Sequence, residues 1–356
     1  MNSSAADSGE SPSENSHPPA SVHSHYRWYI VGMLWCISFF NYADRQAIYS
    51  VFPLLEGELK LSKFDLGLLG SAFAWVYALS APAAGYVVDR FRRKTAILAG
   101  LQAWSLICMA TGLAQKFWQL VFFRAAEGLG ETFYYPASVS MISDYHGKKT
   151  RSRALGLHQT SVYAGTIGGG IFAAWIGQHF GWRWSFIVFG GLGIGLGLVL
   201  HRFLREPKRG GAEFSGDETS PRLPTVQVLQ LIWGKPTVIA LMLAFLCAMF
   251  TNMVLLTWMS TYIFNRFDLT LPEATLIATA FPHVASMLGS PLGGWLADSL
   301  RQRWNNGRVM VQVMGIWLGA PFVYLCGLDY PLLGIMAILA SWGFFKGIYG
   351  ANIYAS

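Results

Sequence analysis

The sequence predicts an all-α polytopic membrane protein, and three observations carry that reading. Charged residues make up only 13% of the 356-residue chain and hydrophobic ones 53%, with a mean hydropathy of +0.37. A soluble chain carries roughly 25% charged residues, nearly all of them placed on the surface that faces water. Apolar runs also recur along the chain, each long enough to cross a hydrocarbon core of about 30 Å at about 1.5 Å per residue. Finally, the runs lack the period-2 alternation of a membrane barrel, which leaves helices as the way to satisfy every backbone group in lipid. The 24 Phe, 15 Tyr and 14 Trp suit the same solvent.

In chain order, residues 1–26 read as a disordered cytoplasmic tail, rich in Ser, Pro and His. They lack the apolar core of a cleaved signal peptide. Spans follow near 28–50, 65–88, 95–114, 117–143, 153–178, 182–204, 237–264, 274–298, 308–328 and 331–354. The loops on the N-terminal side of the membrane hold eighteen Lys and Arg, including Arg90, Arg92, Arg93, Lys94, Arg301 and Arg303. The opposite side holds five, namely Lys60, Lys63, Lys116, Arg183 and Arg266. Positive loops stay inside, so the N-terminus is expected to be cytoplasmic. The formal net charge of +7 is accounted for in the same way.

Residues 205–236 are polar and rich in Pro and Gly, and read as a cytoplasmic linker. They divide a six-helix bundle at 27–204 from a four-helix stretch at 237–356. An internal repeat supports the division. Gly85-Tyr-Val-Val-Asp89-Arg90-Phe-Arg92-Arg93 follows span two, and Gly294-Trp-Leu-Ala-Asp298-Ser-Leu-Arg301-Gln-Arg303 follows span eight. Asp89 and Asp298 stand 209 residues apart, and the same offset carries Arg27, just before span one, to position 236, where span seven begins. Parallel halves of six spans are a known transporter plan. On that plan two further spans are expected at about positions 362–413, so the native protein is expected to have twelve.

Other classes lack their signatures. None of the eight His is followed by Glu, so the zinc-protease motif H-E-x-x-H is absent, and Gly70-Ser71 does not fit G-x-S-x-G. No enzyme is expected. Cys36, Cys108, Cys247 and Cys326 lie singly in apolar runs, which implies neither a disulfide nor a metal site. The cations are scattered rather than gathered into a basic domain, so no nucleic-acid partner is expected. A sensor built on a transporter fold is a further class, but the short tails hold no signalling domain.

Over residues 27–356 the chain resembles the major facilitator superfamily. Gly85–Lys94 is similar to the signature after span two, although Arg92 stands where a Gly is usual. Within the superfamily the chain is most similar to the anion:cation symporters of organic anions and sugar acids. Four stretches carry that resemblance: Asn41-Tyr42-Ala43-Asp44-Arg45, then Arg124-Ala-Ala-Glu127-Gly128-Leu-Gly130-Glu131 with Pro136-Ala137, then Gly181-Trp182-Arg183-Trp184-Ser185-Phe186, and Trp258-Met-Ser260-Thr261-Tyr262. Ser260 departs from the usual Pro. Spinster-type lysolipid carriers share the Asp-Arg and G-x-G-E elements and are the second resemblance. Drug antiporters fit less well, because span five lacks their Gly-Pro. The resemblance implies proton-coupled symport of a small organic anion, such as a sugar acid or hydroxy acid, by alternating access. It also implies a monomer in lipid, in the bacterial inner membrane, driven by an ion gradient with no cofactor.

Ionisable groups at membrane depth cost about 2.5–3.5 kcal/mol each, so they mark function or pairing. Asp44 and Arg45 lie in span one, and Arg124, Glu127 and Glu131 in span four. Arg124, Gly128, Glu131 and Tyr135 share one helix face, which sets Arg124 and Glu131 about 10 Å apart along the axis, room for an anion or a partner helix. Two readings stand: an ion-pair network pinning spans one and four, or a transport site. In the second, Arg45 binds the anion, as the resemblance implies, with Tyr42, Tyr77 and Arg124 as further ligands, while Glu131 carries the proton and Asp44 is the next candidate. Glu127 reads as a partner of Arg124. His158, His283 and Asn252 read as helix–helix contacts. Lys346 is a mid-span cation without a local acid; pairing across the bundle and a contribution to anion binding are equally open. Asp89, Arg90 and Arg93, and Asp298 with Arg301, read as latches on the cytoplasmic face.

Overall fold

The computed structural model describes residues 21–147, 150–207, 233–304 and 306–352, with side chains from residue 25 onward apart from that of Asp89. The linker core at 208–232 and the tail at 1–20 lie outside the described residues. The helices are α1 (Ser21–Ser50), α2 (Phe52–Leu59), α3 (Lys63–Arg90), α4 (Arg93–Thr111), α5 (Phe117–Glu131), α6 (Tyr134–Tyr145), α7 (Arg151–Ala164), a π-turn (Gly165–Gly169), α8 (Gly170–Phe180) and α9 (Trp182–Phe203). After the linker come α10 (Pro236–Arg266), α11 (Leu271–Arg301), α12 (Gly307–Leu325) and α13 (Leu332–Gly350). Helix α1 thus begins within the stretch whose composition reads as a tail.

Among the described residues these helices form ten rods, one for each expected span. Five are long and apolar enough in themselves to cross a membrane: 63–88, 182–203, 236–266, 307–325 and 332–350. The remaining rods include α1, with its buried charges, and two that are interrupted. Span four breaks between α5 and α6 because Pro136 has no N–H to give the Thr132 carbonyl. Span five runs from α7 through the π-turn into α8. Large side chains such as Trp75, Leu79, Phe250 and Trp317 are exposed around the outside, as a lipid-facing surface requires.

Local chemistry sets the boundaries. A capping box starts α3, where the Asp65 amide donates to Ser62 Oγ and the Ser62 amide to Asp65 Oδ2. Thr270 and Glu273 repeat that device at α11. The first two amides of α4, those of Arg93 and Lys94, donate to the Glu206 carboxylate at 2.8 and 2.7 Å, which places an anion at a helix N-terminus. His146, in the loop after α6, bonds the Arg27 carbonyl and Thr150 Oγ1, and burial holds its pKa below the ordinary value.

Small residues bring the rods together. A Cβ at Gly343 would lie 2.2 Å from the Pro282 carbonyl oxygen, and one at Gly347 2.3 Å from that of Ser286, so α11 and α13 pack almost backbone to backbone. Contacts joining the two halves cluster at the end of the bundle opposite the basic loops. Gln46 Nε2 donates to the Leu256 carbonyl at 3.5 Å, Phe52 meets Trp258, and the Leu271 amide donates to Gln178 Oε1. Gly170 packs against Thr275, and α11 lies along α8 and the π-turn. The halves therefore meet at one end, and the wedge between them opens toward the basic loops.

Candidate functional site

Helix α1 carries Asn41, Tyr42, Asp44 and Arg45 into the middle of the first bundle, facing α5. On α5, Arg124, Glu127 and Glu131 recur at i, i+3 and i+7, which puts all three on one face. That face is buried. Arg45 Nε donates to Glu131 Oε2 at 2.5 Å, and Arg124 pairs with Glu127. The ion-pair partners are therefore Arg45–Glu131 and Arg124–Glu127. Asp44, buried beside Glu127, Glu131 and Arg124, takes neither guanidinium as a salt-bridge partner, and its Oδ1 is among the buried atoms with no hydrogen bond.

Aromatic rings from α1 and α3 complete the cluster. The Arg45 guanidinium lies 4.9 Å from the Tyr42 ring centroid, 4.9 Å from Phe73 and 4.7 Å from Tyr77. Phe73 also covers Arg124, at 4.9 Å. Each such contact contributes about 0.5–2 kcal/mol, more as water is excluded. Gly128 lets α3 approach this closely, because a Cβ there would sit 2.6 Å from the Phe73 carbonyl oxygen. The space between Arg124 and Glu131 is thus filled by a partner helix. Tyr77 and Tyr42 lie where the sequence expects site residues. The sequence does not mark Phe73, since an aromatic in an apolar run gives no contrast.

Accessibility separates the two arginines. Arg124 is fully buried, with Nε and Nη2 lacking hydrogen-bond partners, while the Arg45 side chain retains 20% exposure. With every group ionised, three carboxylates face two guanidiniums, and the cluster is one negative charge in excess. One proton makes it neutral. A buried site with uncompensated charge is costly.

Other polar groups sort into structure. His158 bonds Tyr134 Oη at 2.9 Å, and that hydroxyl donates to the Leu34 carbonyl. In the Gly181–Phe186 stretch, Trp182 Nε1 donates to Glu58 Oε2 at 2.8 Å and Arg183 pairs with the same carboxylate, tying α9 to α2. At the basic end Arg93 pairs with Asp144 and Arg90 bonds Tyr86 Oη. The side chain of Asp89 lies outside the described residues. Asp298 pairs with Arg308 at 3.6 Å, so its salt bridge goes to the first turn of α12 in place of the expected Arg301, which precedes that turn. In the second half, Lys346 donates to Asn252 Oδ1 at 2.8 Å.

Two bundles of membrane helices, with paired charges held between α1 and α5, define a polytopic carrier architecture. The Major Facilitator Superfamily model matches residues 34–356, and the chain belongs to that family. It is 31% identical over 329 residues to a protein of Arabidopsis thaliana described as "Ascorbate transporter, chloroplastic", covering 88% of this chain and 60% of that one. The chain thus spans about 60% of that relative's length. It is 25% identical to a protein of Escherichia coli (strain K12) described as "Probable galactarate/D-glucarate transporter", covering 90% of this chain and 77% of the other. The fold matches the crystal structure of a bacterial homologue of the human lysosomal transporter Spinster, in an inward-facing and unoccupied conformation. There the TM-score is 0.81 at 24% identity, with 92% of this chain and 74% of that one covered.

Proposed function

We propose that this protein is a secondary transporter that carries a small organic anion, such as a sugar acid or hydroxy acid, together with protons by alternating access. The observation that carries the reading is the Arg45–Glu131 pair, because Arg45 is both salt-bridged and partly exposed. An entering carboxylate competes with Glu131 for the planar guanidinium fork, which suits carboxylates bidentately and keeps its charge on desolvation. Glu131, displaced from that salt bridge within the bundle, takes up a proton. Anion and proton then move together with little net charge. Tyr42 and Tyr77, stacked on Arg45, are placed to meet substrate hydroxyls. The relatives named for ascorbate and for galactarate and D-glucarate support an acid of this type. By the positive-inside rule the basic loops face the cytoplasm, and the wedge opens inward. The native membrane is the bacterial inner membrane, and Arg90, Arg93, Asp298 and Arg308 brace its cytoplasmic face.

The full-length protein in proteoliposomes tests the division of labour. Arg45→Lys keeps the charge and loses the fork, so affinity should fall by about tenfold or more. Glu131→Gln holds the site in its protonated form. It should still exchange labelled substrate across the membrane, yet lose accumulation driven by a pH gradient. If the Gln variant still concentrates substrate on a pH gradient alone, Glu131 is not the coupling group and Asp44 is tested next. Transport of uncharged sugars or lysolipids alone would overturn the anion reading, and lysolipids alone would favour the Spinster-like one.

A further inference from the structure

Lys346 is a cation at membrane depth in the second half, and among the described residues it forms no salt bridge with a carboxylate. Burying an ammonium without a counter-ion is costly, and nothing in the Arg45 cluster uses it. Its surroundings are suited to a ligand. Nζ donates to Asn252 Oδ1 and lies 5.1 Å from the Trp342 ring centroid, leaving further ammonium donors without a protein anion. Because the Asn252 oxygen faces Lys346, its amide nitrogen is free to donate alongside. His283 lies within electrostatic reach of Lys346. Its Nδ1 meets the Thr279 carbonyl at 2.7 Å and must be the donor there, so in the neutral ring Nε2 offers a lone pair. Two adjacent donors and a neighbouring acceptor match a carboxylate beside a hydroxyl.

The same residues look back at Arg45. Gln46, next to Arg45, bonds the Leu256 carbonyl, and Phe52 meets Trp258, so α1 and α10 run alongside in the same direction. Four residues back from these partners are Tyr42 on α1 and Asn252 on α10, about 6 Å lower on each helix and hence at one depth. A second path closes the ring, since Gly165 abuts the Tyr42 side chain and Tyr163, two residues earlier, meets His283 edge to face, with ring centroids 5.5 Å apart. Arg45 and Lys346 therefore face one cleft from opposite halves.

We propose that Lys346, Asn252 and His283 form a second anion subsite, so that the substrate is a polyhydroxy acid with a carboxylate at each end, one on Arg45 and one on Lys346. This rests on the organic-anion reading above and narrows it. The test is equilibrium binding to the purified full-length protein of two acids of equal length, galactarate with two carboxylates and galactonate with one. A charge-assisted hydrogen bond contributes about 1.5–3 kcal/mol, so the wild type should bind galactarate about tenfold or more tightly than galactonate. Lys346→Met should bring the two affinities within about twofold of each other by weakening galactarate, while galactonate still binds and so reports a folded site. Lys346→Arg should keep the preference. Equal binding of both acids by the wild type, or an unchanged preference in Lys346→Met, would overturn the subsite and leave the organic-anion reading standing. Binding of lysolipid with neither acid would overturn both.

Discussion

Arg124 and Glu127 are both sealed from solvent beneath Phe73, and each is the other's salt-bridge partner. Such a pair is stabilising only as a pair. Arg124→Met leaves Glu127 as an uncompensated buried charge, which typically costs about 3–5 kcal/mol. Glu127→Leu strands Arg124 in the same way. The double variant removes both charges and should recover most of the loss. Thermal unfolding of the detergent-solubilised protein checks this; a double variant less stable than either single one would contradict it. At this scale the sequence is partly legible. Asp44, Arg45, Arg124, Glu127 and Glu131 stand out because a charge in an apolar run is improbable on cost alone. The Arg124–Glu127 pair is legible too, one turn apart on α5, whereas the spacing on α5 cannot show that Arg45 of α1 takes Glu131 as its partner.

Among the elements, span five shows what a glycine run can do. Gly165 to Gly170 reads as an ordinary apolar helix stretch, yet it widens into a π-turn where α1 crosses it. A Cβ at Gly169 would lie 2.2 Å from that of Ala43, whereas one at Gly168 would make an ordinary 3.6 Å contact with the Phe39 ring. Gly169→Ala should therefore push α1 away, costing about 1–3 kcal/mol and displacing the adjacent Asp44 and Arg45. Transport should fall together with the unfolding temperature. Gly168→Ala, one position away, should leave both nearly unchanged, and equal tolerance at the two positions would show that the crossing is not so tight. Composition could not reveal this, because the run specifies smallness without saying which glycine meets a backbone. The break in span four is more legible in retrospect, for Pro136 withholds a donor from Thr132. The apolar pattern continues through it and gives no sign of a break.

For the molecule as a whole, the 209-residue repeat placed the start of span seven at 236, and α10 begins at Pro236. A repeat survives as sequence because both halves solve the same packing problem. The conformation has no such trace, being set by which ends of the halves touch. Here they touch away from the basic loops, and Trp258 is central: its ring meets that of Phe52 at a tilt, and a Cβ at Gly67 would lie 3.7 Å from it. A large side chain at Gly67 should wedge that end apart. If the carrier rocks about its centre, the basic ends must then approach each other. Spin labels on exposed Arg90 and Arg301, at the basic ends of α3 and α11, report the distance. Gly67→Phe should shift the distance distribution of the full-length protein toward shorter values, because destabilising one state by about 1–3 kcal/mol is enough to move a two-state population severalfold. An unchanged or lengthened distribution would mean that opening one end does not close the other, and the rocking model would not describe this protein.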